Sequence, residues 1–72
     1  MKIVVEISDD DAMHINRVIE LANNSDAKTR GMLGCETLTR MLLQDVALAI
    51  RRPGSWEGAN MAQVLASHSY EI

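Results

Sequence analysis

The opening run MKIVVEISDDDA (residues 1–12) decides how this chain is read. Ile3, Val5 and Ile7 alternate with Lys2, Val4 and Glu6, a period of two carried by β-branched side chains. That spacing predicts one strand over residues 2–7 with an apolar face and a mixed face. The pattern then stops. Ser8 is placed to cap a helix, and Asp9, Asp10 and Asp11 fall where a helix dipole favours negative charge. Asp11, three residues after Ser8, makes a weaker form of the capping box. The bland account of the acidic triplet is a solvated helix start; a calcium loop needs further oxygen ligands and a glycine at fixed spacing, which are absent.

Helical spacing follows. Over residues 9–23, Ala12, Ile15, Val18, Ile19 and Ala22 share one face, with Asn16, Arg17 and Glu20 opposite. His14 falls off that stripe, so it reads as an exposed helical residue without a catalytic partner. Residues 25–36 (SDAKTRGMLGCE) are the least regular stretch, with Gly31 and Gly34 as breakers, and their glycines do not match a phosphate-cradling loop. Cys35 has two readings, a small packing residue or a thiol activated at a helix N-terminus; without a neighbouring histidine, packing is preferred.

The second helix is predicted over 37–51, capped by Thr37, with Leu38, Met41, Leu42, Val46, Ala49 and Ile50 at three- and four-residue spacing. Leu43 and Ala47 widen its stripe, so core is the bland reading and burial on more than one side is expected. Arg51 and Arg52 suit its negative end, and Pro53-Gly54 stops it. Ser55 then caps a short third helix to residue 67, weakened by Gly58, with Trp56 placed to staple it onto the second. His68, Ser69 and Tyr70 read as a tail, with Tyr70 or Ile72 docked back.

Composition narrows the function. The 72 residues make one small domain, 47% apolar and 24% charged, without phenylalanine. Such a chain buries only ~60% of its unfolded surface and is marginal alone. One cysteine forms no intrachain disulfide, and with two distant histidines it makes no four-ligand zinc site, so oligomerisation is the remaining support. No apolar run approaches the ~20 residues of a membrane span. The early acids predict no export signal, which gives a cytosolic expectation. Net charge is −3, a poor start for a generic nucleic-acid binder. The charge is uneven, however: residues 1–24 carry −3, residues 25–52 carry +2, and residues 53–72 carry −2. An anion is expected at the basic middle.

A lone strand leaves backbone groups unpaired along both edges. Its simplest partner is the same strand of a second copy across a two-fold axis, so both this argument and core size point to a homodimer. The order IVVEIS, DDDAMHINRVIELANN, ETLTRMLLQDVALAIRR, covering residues 1–52, resembles the ribbon-helix-helix family. The resemblance implies a mostly α fold with one N-terminal strand, paired between chains into an antiparallel ribbon that enters the DNA major groove. It implies Lys2, Val4 and Glu6 as outward positions, and a phosphate anchor around Gly34, Cys35, Glu36 and Thr37. Of these, Val4 suits a thymine methyl and Glu6 accepts only from cytosine. Lys28, Arg30 and Arg40 are the expected backbone-phosphate contacts. The dimer interface is expected at Ile3, Val5, Ile7, Leu38, Leu42 and Val46.

Two functions compete on this reading. One is a homodimeric DNA-binding transcriptional regulator, phage- or antitoxin-like. The other is a protein-interaction module, an inhibitor or adaptor, that uses the same dimer as a platform. It would bind through Arg51, Arg52, Trp56 and Met61 in RRPGSWEGANMAQVL. No nucleophile, base and acid group together in the sequence, so no enzyme, metal or cofactor is expected.

Overall fold

The computed structural model describes residues 1–26 and 31–72. Among them are three helices, α1 (Asp9–Asn23), α2 (Cys35–Arg51) and α3 (Trp56–Ser67). The chain forms two compact units, Met1–Cys35 and Glu36–Ile72.

In the first unit, α1 starts where its cap dictates. Ser8 has extended backbone, and its side-chain oxygen accepts from the Asp11 amide at 3.1 Å. The three aspartates occupy the first turn, next to the positive end of the helix dipole. Ala12, Ile15, Ile19 and Ala22 are half-buried, whereas Met13, Val18 and Leu21 remain exposed. His14 is exposed as expected, its Nδ1 lying 2.8 Å from the Asp10 carbonyl. At the far end, the Asn23 side chain reaches across ten residues to Leu33. Its Oδ1 accepts from the Leu33 amide at 2.6 Å and its Nδ2 donates to the Leu33 carbonyl at 2.9 Å.

In the second unit, α2 and α3 meet through a tight turn. The Arg52 amide donates to the Leu48 carbonyl, and the Arg52 carbonyl accepts from both the Ser55 amide and the Ser55 hydroxyl. Ser55 in turn caps α3, accepting from the Gly58 amide at 3.1 Å. Gly58 is where the two helices come closest. A Cβ on it would lie 2.6 Å from the Leu48 carbonyl oxygen and 2.7 Å from that of Arg52. Ala49, next to Leu48 in α2, is 8% exposed and is the one buried hydrophobic side chain among the described residues. Gly58 is therefore not the weak point of α3 but the residue that lets α3 pack.

The end of α3 is a Schellman motif. The Tyr70 amide donates to Leu65 and the Ser69 amide to Ala66, which closes the helix with Ser69 in the left-handed region at φ +70°. This position usually holds glycine.

Several expectations change. Residues 1–8 hold no strand, because no other described segment lies alongside them to complete a ladder. α2 begins at Cys35, two residues early, so Thr37 lies inside its first turn and does not cap it. Cys35 is exposed and so is not a packing residue. The breadth of the α2 stripe does not translate into burial: Met41, Leu42, Leu43, Val46 and Ile50 are all exposed. Trp56 is 77% exposed, turned away from the face on which Gly58 packs, and does not staple α3 to α2. Tyr70 and Ile72 are exposed; the tail returns to α3 through backbone bonds and through His68, whose Nδ1 lies 2.9 Å from the Val64 carbonyl.

Candidate nucleic-acid and partner surfaces

The N-terminal segment retains the alternation seen in its sequence. Val4 is 99% exposed, against 58%, 65% and 52% for Ile3, Val5 and Ile7. Lys2 and Glu6 are exposed on the same register as Val4. The segment thus leaves Lys2, Val4 and Glu6 exposed, with Ile3 and Val5 between them.

Of the expected phosphate-anchor residues, Cys35, Glu36 and Thr37 open α2 and Gly34 directly precedes it. With α2 starting at Cys35, the first-turn amides are those of Cys35, Glu36 and Thr37, at the positive end of a helix of 17 residues. The charge beside them is balanced, however. Arg40 donates from Nη2 to Glu36 Oε1 at 2.9 Å, one turn apart, with both side chains exposed. Arg40 thus shares its charge with a neighbouring acid. Lys28 and Arg30, the other expected phosphate contacts, lie outside the described residues.

Of the expected dimer-interface residues, Ile3, Val5, Ile7, Leu42 and Val46 are exposed and Leu38 is half-buried. They are not consumed by packing within the chain, apart from part of Leu38. Leu43 and Ile50, on the same helix, are exposed as well, Ile50 to 76%.

The expected partner-binding set is not brought together. Arg51, Arg52 and Trp56 are exposed around the α2–α3 turn. Met61 is half-buried and lies five positions after Trp56, roughly 140° around the helix. Trp56 instead shares its face with Asn60, whose Nδ2 donates to the Trp56 carbonyl at 2.7 Å, and with the exposed Val64.

Among the described residues, no three histidine, cysteine, aspartate or glutamate side chains gather into a metal-binding group, and no helix is long and apolar enough to cross a membrane. Comparison with protein-family models, with curated proteins and with solved structures gives no match.

Proposed function

We propose that this chain is one subunit of a homodimeric DNA-binding regulator of ribbon-helix-helix type, in which residues 2–7 of two copies pair as an antiparallel ribbon. One observation carries the reading: six residues of alternating β-branched sequence stand exposed ahead of a capped helix, with no described strand beside them. Pairing two copies satisfies the backbone groups along one edge of each segment. It also places Ile3, Val5 and Ile7 on one face and Lys2, Val4 and Glu6 on the other. The second face is the one offered to bases, and the first turn of α2 is offered to phosphate.

The test is gel retardation on the DNA upstream of the chain's own reading frame, over a salt series. The reading expects retardation that weakens steeply as salt rises, together with a dimer mass in sedimentation. No retardation of any such fragment at low salt would sink the DNA function.

A second reading is favoured by Trp56. A tryptophan 77% exposed at a helix start is an unusual thing to leave in water, and it suits a protein partner. On that reading the dimer is a platform and the α3 surface is its working face. Trp56→Ala abolishing capture of a protein partner, with the dimer intact, would favour it.

A further inference from the structure

Two arginines of the chain pair with a glutamate one turn away on their own helix. Arg17 lies 3.2 Å from Glu20 and Arg40 lies 2.9 Å from Glu36. Arg51 and Arg52 have no such neighbour, because the positions three and four away hold Ala47, Leu48, Ala49, Gly54, Ser55 and Trp56. Both are exposed, and neither forms an ion pair among the described residues. Trp56 follows directly: the Arg52 carbonyl accepts from the Ser55 amide at 2.9 Å, and α3 begins at the next residue with the exposed indole. Beyond Trp56, the side of α3 opposite Gly58 runs through Asn60, Gln63, Val64 and Ser67, within about 100° of arc. That arc holds no charged residue, although a helix face left in water ordinarily carries them. Glu57 stands about 100° round from Trp56, on the flank of half-buried Met61, where it answers the positive end of the helix dipole. Two unpaired cations, an indole and an uncharged helix face thus follow one another within the Glu36–Ile72 unit.

We infer that this surface takes an acidic segment of another protein, with carboxylates on Arg51 and Arg52 and an apolar side chain on Trp56. The inference rests on the reading of Trp56 as an anchor and adds the chemistry of what it holds. Charge selects the occupant. Guanidinium groups with no acid of their own chain are matched by carboxylates, which they bind in bidentate geometry, and tryptophan beside arginine is the pairing that anchors protein partners. Nucleic acid suits the surface less, because its affinity comes from neutralising many phosphates. Residues 36–72 carry three arginines and no lysine against four acids, and Arg40 is already held by Glu36. A second copy meeting this surface with the same surface brings the arginine pairs of both chains into one interface.

Selection of short peptides from a random displayed library against the full chain tests the inference. The expected consensus sets acidic residues around an aromatic or aliphatic one. The selected peptide, made synthetically and followed by fluorescence anisotropy, is expected to bind less tightly as salt rises, a measurement that needs no variant. Arg51→Gln with Arg52→Gln is expected to weaken it by about tenfold or more, and Trp56→Ala to abolish binding. Circular dichroism checks that each variant keeps its helix content. A neutral or basic consensus, or no enrichment, overturns the acidic partner. Binding that survives the arginine changes but fails with Trp56→Ala overturns this inference and leaves the Trp56 anchor standing. Binding indifferent to all three changes overturns both. Loss of a sedimentation oligomer on changing the two arginines assigns the surface to a second copy instead.

Discussion

Asn23 holds Leu33 by both of its backbone groups, accepting from the amide at 2.6 Å and donating to the carbonyl at 2.9 Å. A side-chain amide here does what one strand residue does for another. Both residues are half-buried, so water competes only partly for the two bonds. Asn23→Asp keeps the acceptor for the Leu33 amide but puts a second oxygen against the Leu33 carbonyl. It is expected to destabilise the chain by about 1–3 kcal/mol. Faster hydrogen exchange at the Leu33 amide checks it; unchanged protection there would refute the pairing.

Gly58→Ala exchanges a poor helix former for the best one, which on its own favours α3 by about 1 kcal/mol. The added methyl meets two backbone carbonyls, those of Leu48 and Arg52, at 2.6 and 2.7 Å, and neither can rotate away. The helices must separate, at a cost of about 1–3 kcal/mol. The net expectation is a lower melting temperature. Thermal unfolding followed by circular dichroism decides the sign, and a higher melting temperature contradicts the close approach.

At Ser69 the sign reverses. Its φ of +70° is strained for a side chain with a Cβ and costless for glycine. Ser69→Gly is expected to stabilise the chain by about 0.5–1 kcal/mol, a rise of several degrees in a domain of this size. A neutral or lower melting temperature counts against the left-handed closure of α3.

Trp56 is the chain's only tryptophan, which makes it a reporter as well as a candidate anchor. Its exposure predicts water-like emission that iodide quenches readily, and Trp56→Ala is expected to change stability by no more than about 0.5 kcal/mol. A blue-shifted, protected emission from the isolated protein would mean that the assembled protein already covers this face.

Glu6, like Lys2 and Val4, is exposed on the N-terminal segment. On the proposed ribbon it repels phosphate from the surface meant to meet DNA. Glu6→Gln is expected to tighten binding to non-specific DNA and to weaken discrimination at a cytosine-containing site. Titrating both duplexes at fixed salt checks the two effects separately. Weaker binding to both would show that Glu6 is not on the DNA side.

Elements whose cause is local were legible in the sequence. Ser8 with three aspartates marked the start of α1 to the residue, and Ser55 after Pro53-Gly54 marked α3 equally well, because a cap is a bond between near neighbours. What depends on distant backbone was not legible. Gly58 read as a flaw in a helix until the carbonyls of Leu48 and Arg52 were seen against it. The bond from Asn23 to Leu33 crosses ten residues and follows no periodicity. The separation of Trp56 from Met61 follows from helix geometry and was overlooked because both are large apolar residues in one short stretch.

Residues 2–7 find no strand partner among the described residues of their own chain. On the proposed pairing, the fold of those residues therefore depends on how many copies are present. Each tenfold dilution removes about 1.4 kcal/mol from the assembled form, so the melting temperature should climb with protein concentration. A regulator built this way gauges its own abundance: newly made chains stay inactive until enough of them have accumulated to find one another.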